Sequence, residues 1–417
     1  MGRSVIPKAH RMIPTPLLSS IRILELGHFI AAPFCTRVLA DLGADVIKVE
    51  PPGTGDPVRG WGAQAHGQSI WWSVHGRNKR SVSLNLRDPA ARDIILDLVS
   101  RCDAVVENFR PGQLERWGIG PDVLAKARPG LTLVRISGYG QDGPEATRAS
   151  FGVIGEAKGG LRYLTGYPKG TTELPPPRTG VSVGDSVAGL YGAVGALAAI
   201  IDQRASGRAE PRVVDVALGE AVLTLMEGIL PEYGLTGAIR EPMGSGMASS
   251  APTSAYSCKG GAWVLIAANS DPLFRTLAAA MGRSELADDA RFRDNPARLA
   301  NVAELDRLIG RWTAALSIDV VLDQLEAANI PASKVYSVAD IAADAQFRHR
   351  HMIAEVDDPV LGRVLHPGVV PAIEGLERDA QIRWAGPAVG QHNEDVYGGL
   401  LGLSASRLAD LAERGIV

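Results

Sequence analysis

Apolar positions along the first 140 residues alternate between short runs and longer stretches with helical spacing. Ile21–Leu26 is a short apolar run with β-branched residues and predicts a first strand. Ala31–Leu42 carries apolar residues at helical spacing and ends at Gly43, a C-cap residue, so it predicts a helix. Asp45–Glu50 (DVIKVE) predicts a second strand, stopped by Pro51-Pro52-Gly53, and Ser81–Leu86 a third. Asp88-Pro89 pairs an N-cap with a first-turn proline and opens a helix that runs to about Arg101. Ala104–Asn108 and Leu131–Ser137 predict two further strands. Such βαβ alternation predicts an α/β fold, an open doubly wound sheet that is mostly parallel.

The pattern changes after about residue 150. Gly159–Gly184 is rich in Gly, Pro and Thr and reads as loop. Asp185 then opens a long small-residue helix over Ser186–Arg204, whose Gly and Ala content suits close packing in a core or subunit interface. Arg212–Leu218 predicts a strand, Glu220–Leu230 a helix, and turn-rich Pro231–Thr253 a linker. Trp263–Ala268 predicts a buried strand, followed by amphipathic helices at Asp271–Met281, Arg298–Leu316 and Ile318–Ala328. This organisation predicts a large α/β domain over 17–229, a smaller α/β domain over 230–335, and a tail, 336–417, that rejoins the large domain.

Composition narrows the classes of function. Of the 417 residues, 46% are apolar and 21% charged, which suits a globular protein rather than a disordered one. The net charge of −3 lacks the basic excess of a broad nucleic-acid footprint. The strongly apolar stretch Gly189–Ile201 is shorter than the roughly 20 residues a membrane span needs, so no membrane partner is expected. Cys35, Cys102 and Cys258 are odd in number and widely spaced, which disfavours a disulfide framework and suits the cytoplasm. The basic segment Met1–Pro16 has no apolar core and does not read as a secretory signal; Gly2 is followed at position 6 by Ile, against myristoylation. The eight histidines lack metal-site spacing, so no metal is expected.

Four features bear on chemistry. Gly138-Tyr139-Gly140-Gln141-Asp142-Gly143 matches G-x-G-x-x-G after a predicted strand, but no helix opens there and no strand-end acid follows about 20 residues on, so it reads as a tight turn at a sheet's ligand-facing edge. His28 follows the first strand just before a helix, where Phe29–Pro33 would present backbone N–H groups to an anion; the histidine itself reads as structural more readily than as an acid/base. Arg77, Lys79, Arg80, Arg87, Arg110 and Arg116 read either as ordinary surface charge or as a phosphate cradle. Asp185 reads by position as a helix N-cap, a role that does not exclude a catalytic one.

Taken in order, the segments RILELGHFIAAPFCTRVLADLGADVIKVEPPGTGD, NKRSVSLNL, DAVVENFRPGQLERWG, GYGQDGP, GVSVGDSVAG and the late GQHNEDV resemble the family III CoA-transferases, the group that contains formyl-CoA transferase and carnitine CoA-transferase. The resemblance runs from about Ile21 to Asp395. It implies an interlocked homodimer and transfer of CoA from an acyl-CoA donor to a free carboxylic acid, with coenzyme A or acyl-CoA as substrate and no permanently bound cofactor. The family's catalytic aspartate matches Asp185, which implies covalent catalysis through an aspartyl intermediate. CoA contacts are implied at His28, Phe29, Ile30, Ala31, Leu84, Leu86, Arg87, Asn108, Phe109 and Arg116, with Arg87 and Arg116 on phosphate and Phe109 or Leu84 on adenine.

The departures are specific. The α-methylacyl-CoA racemases of the same superfamily pair this aspartate with a histidine about 30 residues upstream, and Phe151 stands at the matching place. Racemisation or isomerisation would need a second base. Ile30 occupies the place of a glutamine that assists some transferases, and Gly244–Ser250 replaces the family's glycine-rich loop. Formyl-CoA and oxalate therefore do not carry over as substrates, and a non-catalytic acyl-CoA-binding homologue is the third alternative. A dicarboxylate such as succinate suits the family's breadth and the arginines Arg148, Arg162 and Arg178. Glu156 is an additional carboxylate, read as structural before catalytic.

Overall fold

In a computed structural model that describes residues 16–417, the large unit is organised by six strands: β1 (Arg22–Glu25), β2 (Asp45–Glu50), β3 (Lys79–Ser83), β4 (Ala104–Glu107), β5 (Thr132–Ser137) and β6 (Arg212–Ala217). All neighbouring pairs are parallel. Their order across the sheet is 3-2-1-4-5-6. The chain therefore reverses direction between β1 and β4, the topological switch point where open α/β sheets form their ligand crevice. The Met1–Pro16 expectations fall, apart from Pro16, outside the described residues.

Strand alternation places two different environments on the two faces. Leu24, Ile47, Val49 and Val82 enter one apolar core with the helix Ala91–Ser100 (α2). Ile23, Val46, Val106 and Val134 enter the other, beneath the helix Ala31–Asp41 (α1) and the long helix Val183–Ser206 (α4). Between them in the chain lies a short helix, Gly152–Lys158 (α3). The buried stripe of α4 includes Ala188, Gly189, Gly192, Ala193 and Ala196. A Cβ on Gly189 would lie 2.8 Å from the Ala31 carbonyl oxygen, so the small-residue stripe lets two helix backbones meet. By length and composition α4 could cross a bilayer. One of its faces packs on α1 and the sheet.

The tail closes the free edge of β3. His392 donates its N–H to the Ser81 carbonyl at 2.9 Å, and the Ser83 N–H donates to Asn393 Oδ1 at 2.9 Å. Tyr397 Oη donates to the Ser83 carbonyl at 2.9 Å. The GQHNEDV motif is thus an edge cover, which removes unpaired strand groups from solvent. A second tie joins the hairpin Ile353–Asp358 and Gly362–Pro367 to the early chain. Ser73 Oγ donates to Asp358 Oδ2 at 2.7 Å and lies 3.0 Å from His366 Nε2, all three residues being buried.

The second unit comprises 162–178 and 228–345. Strands Thr253–Ser257, Trp263–Ala267 and Ala332–Lys334 form an antiparallel sheet. Val264 and Ile266 pack with Phe274, Leu305, Ile309 and Val321 from its helices. The linear boundaries 17–229, 230–335 and 336–417 shift accordingly. Tyr163 Oη donates to Glu241 at 2.8 Å and the Gly244 N–H to the Gly166 carbonyl at 2.8 Å, tying 162–178 into this unit. Lys334 Nζ holds Asp340 at 2.6 Å, so the chain leaves the unit only after 345.

Two predicted elements also change. The helix expected over Glu220–Leu230 runs as Leu218–Leu223, tightens into a 3-10 turn over Thr224–Met226 and stops there because Glu227 takes φ +47, outside helical geometry. The expected linker after Pro231 instead begins inside a helix, Ile229–Thr236.

Burial, with Arg77 nearby, pushes the His366 imidazole down to about 4. An unfolded histidine titrates near pH ~6.5, so the stability His366 contributes is present above that value and lost as pH falls toward 4. The full loss is about 3 kcal/mol. Urea unfolding at pH 7 and 4.5 should show this acid penalty in the native protein and a smaller one in His366→Gln.

Candidate active site

The carboxyl ends of β1 to β4 border a cleft of about 500 Å³ lined by His28, Glu50, Pro51, Thr54, Leu84, Asn85, Leu86, Arg87, Phe109, Arg110, Gln113 and Trp117, with Val49 beneath. Each group arrives on the segment that follows a strand, which is why residues distant in sequence converge here. One wall is aromatic: His28 meets Phe109 edge-on at 5.2 Å, and Phe109 meets Trp117 at 5.0 Å. Arg87 and Arg110 are exposed at the rim.

The predicted contacts divide. His28, Leu84, Leu86, Arg87 and Phe109 line the cleft. Asn108 does not; its Nδ2 donates to the His28 carbonyl at 2.8 Å, and its Oδ1 accepts the His28 N–H at 2.8 Å. It clasps the turn across the switch point. Ile30 is buried with Val58 and Trp72, and Ala31 is buried at the start of α1. Phe29 turns away from the cleft and packs on Trp61 at 4.8 Å and Phe151 at 6.4 Å. Arg116 is outside the lining and donates to Gln113, a lining residue, at 2.6 Å.

The basic cluster separates by the partners each cation meets. Arg77 pairs with buried Asp41 at 2.6 Å, Lys79 with buried Glu25 at 2.8 Å, and Arg80 with Asp45 at 2.7 Å. Those three cations are structural. Arg110, read from the sequence as part of a candidate phosphate cradle, lines the cleft, and Gln113 and Trp117 are lining residues beyond the sequence-derived set; the signal for them is their position just after β4, in the same FRPGQLERW segment.

Asp185 lies not at the N-cap but in the first turn of α4, two residues inside its start, with Ser182 as N-cap. An anionic side chain is favoured there by the helix dipole. A Cβ on Gly152 would fall 2.1 Å from Asp185 Oδ2, so any side chain there would displace this carboxylate. Buried Glu156 accepts the Gly184 N–H at 3.3 Å and so holds the same turn, a structural role. A run of contacts leads from the cleft to Asp185: His28 lines it, Phe29 packs on Phe151, and Gly152 abuts the carboxylate. Burial and the nearby Lys48 ammonium push the His28 imidazole below its ordinary value, so it is neutral at neutral pH.

The G-x-G-x-x-G turn lies after β5, not after β1 where a dinucleotide fingerprint belongs. Its Gln141 N–H donates to Asp215 at 2.8 Å, which ties the turn to β6. Among the dicarboxylate candidates, Arg148 pairs with Glu145, while Arg162 and Arg178 bound the segment assigned to the second unit. Among the described residues no cluster of His, Cys, Asp or Glu suited to a metal occurs.

The fold and cleft define an α/β protein whose ligand site lies at the switch point of a parallel sheet. Residues 18–393 match CoA-transferase family III, and the chain belongs to that family. It is 44% identical over 405 residues to the succinyl-CoA–D-citramalate CoA-transferase of Chloroflexus aurantiacus, covering 97% of this chain and 98% of that protein. The succinyl-CoA–L-malate CoA-transferase beta subunit of the same organism is 38% identical over 403 residues, covering 96% and 98%. Among solved structures, a CAIB/BAIF family protein from Brucella suis superposes with a TM-score of 0.81 at 30% identity, covering 93% of this chain and 100% of that one. The protein is therefore a CoA-transferase.

Replacing Asn108 by Ala leaves the His28 N–H and carbonyl without their partner. The expected cost is about 2 kcal/mol of stability, read as a lower urea midpoint with an unchanged slope.

Proposed function

We propose that the enzyme transfers CoA from succinyl-CoA to a small dicarboxylic acid of the malate or citramalate kind, through covalent intermediates on Asp185. The carrying observation is the Asp185 carboxylate lodged against Gly152 in the first turn of α4. The substrate class is supported by the two Chloroflexus relatives, which act on succinyl-CoA with D-citramalate or L-malate. Phe151 supplies no second base, which speaks against racemisation.

A carboxylate suffices as nucleophile because a thioester is already activated. An Asp185 oxygen attacks the succinyl carbonyl carbon, the C–S bond breaks, and CoA leaves as thiolate. The product is a succinyl-aspartyl anhydride. The thiolate then attacks the aspartyl carbonyl and expels succinate, which leaves an Asp185–CoA thioester. The acceptor carboxylate attacks that thioester and releases thiolate again. Thiolate finally attacks the acceptor's acyl carbon and returns Asp185 as carboxylate. Each step exchanges one acyl bond for another, so no net proton or electron is consumed.

In this reading the cleft holds the nucleotide end of CoA. Arg87 and Arg110 meet phosphate charge, Arg116 adds charge at the rim, and Phe109 with Trp117 offers rings to the adenine. Two chains interlock as a homodimer. The outward side of α4 supports this, since Leu190, Tyr191, Val194 and Ile201 are all exposed there. Cytoplasmic action is supported by three unpaired, buried cysteines.

Asp185→Ala should abolish transfer while CoA binding by calorimetry persists; a fully active variant removes Asp185 from the role. Mass spectrometry of the native enzyme with succinyl-CoA should find an acyl or CoA adduct on Asp185. Gly152→Ala displaces the carboxylate, and kcat should fall about 100-fold with CoA affinity retained.

A further inference from the structure

The turn that carries His28 is held by charges that do not line the cleft. Phe29 takes φ +62, a left-handed conformation that residues with a Cβ disfavour. Its N–H donates to Asp56 Oδ1 at 3.1 Å, and the same oxygen accepts the Val58 N–H at 2.9 Å. The other Asp56 oxygen lies 2.8 Å from Lys48 Nζ. Lys48 also donates to the Gly27 carbonyl at 2.8 Å and to Glu25 Oε1 at 2.8 Å. Both members of the pair are fully buried. One ion pair thus grips the residue before His28 and the residue after it.

The grip is itself anchored. The Asp56 N–H donates to Glu50 Oε2 at 2.8 Å, and Glu50 is held by Arg59 and Ser81. Burial alone would raise the Asp56 carboxyl, but Lys48 together with the Val58 N–H holds the group below its ordinary value. Packing does not require charge at such a place, because apolar side chains of similar volume often serve stability as well as a buried pair. A carboxylate and an ammonium do something apolar groups do not: they fix the direction of backbone groups.

We propose that the Lys48–Asp56 pair is a positioning device for CoA transfer. It holds the Gly27–Phe29 turn so that the His28 ring faces the cleft while the Phe29 ring braces Phe151, the residue before Gly152 and its neighbour Asp185. This rests on the reading that the CoA thioester occupies the cleft and reacts at Asp185. Neither Lys48 nor Asp56 touches substrate; both act through the turn.

The test is a double-mutant cycle between Asp56 and Phe29. Three donors converge on Asp56, namely two backbone N–H groups and the Lys48 ammonium, and an Asn amide offers them one oxygen. Asp56→Asn should raise KM for succinyl-CoA and lower kcat, cutting kcat/KM at least about tenfold, with native far-UV circular dichroism. In a Phe29→Gly background the left-handed turn no longer needs holding, and the same substitution should cost no more than about threefold. Equal losses in both backgrounds would show a merely structural role and overturn the proposal. Wild-type kcat/KM in Asp56→Asn would overturn it too. Should Asp56→Asn not fold, Asp56→Glu, which keeps the charge and moves it by one methylene, is run through the same cycle, where a loss confined to the Phe29 background supports the proposal and equal losses or no loss overturn it. Native enzyme that neither binds CoA nor transfers it from succinyl-CoA overturns the function proposed above, and this inference with it. Native enzyme that transfers CoA alongside insensitive variants overturns this inference alone.

Discussion

The structure depends on a buried charge lattice that spans its first three strands. Glu25 on β1 accepts from Lys48 on β2 and pairs with Lys79 on β3, all fully buried. Thr36 of α1 donates to Glu25 at 2.6 Å, and Lys79 donates to the α1 carbonyl of Pro33 at 2.8 Å. Buried charges are tolerated only when each finds its partners, and losing one partner is costly. The lattice therefore couples three strands, one helix and the turn between β1 and α1 into a single geometric solution. Burial opposes ionisation of Glu25, yet Lys48 and Lys79 together hold its carboxyl below the ordinary value.

From that lattice the site follows outward. The 3-2-1-4-5-6 order opens a crevice between β1 and β4. The turn after β1 and the turn after β4 are then clasped to each other by Asn108. A dinucleotide fold uses glycines after β1 to bring backbone close to phosphate. Here Gly27 serves a different approach: a Cβ there would fall 2.6 Å from Asn108 Oδ1 and 2.4 Å from Ala32 Cβ. The topology is shared with nucleotide-binding sheets, whereas the chemistry belongs to the residues grafted on it.

Much of this is legible residue by residue. DVIKVE predicts β2 at the same bounds, and the small residues of 186–204 predict a close-packed helix. What pattern does not show is which charges pair. Arg77, Lys79 and Arg80 look like Arg87 and Arg110 in sequence, but the first three meet Asp41, Glu25 and Asp45, contributed by α1, β1 and β2. The pairing of Asn108 with His28 is not legible, because the two lie 80 positions apart. Asp185 stands further into its helix than the pattern suggests, since Ser182 begins that helix without a side-chain cap to mark it.

The amino-acid sequence by itself determined the α/β class, the parallel strands, the family and the aspartate at the head of the long helix. These are carried by local periodicity and by motifs whose residues are contiguous. Tertiary structure alone decided which cations are structural and which line the cleft, that Gly152 leaves room for the Asp185 carboxylate, and that a buried ion pair holds the turn at His28. The physical reason is that hydrogen bonds and ion pairs act over about 3 Å in space, and their partners here come from strands and turns that only the folded sheet brings together.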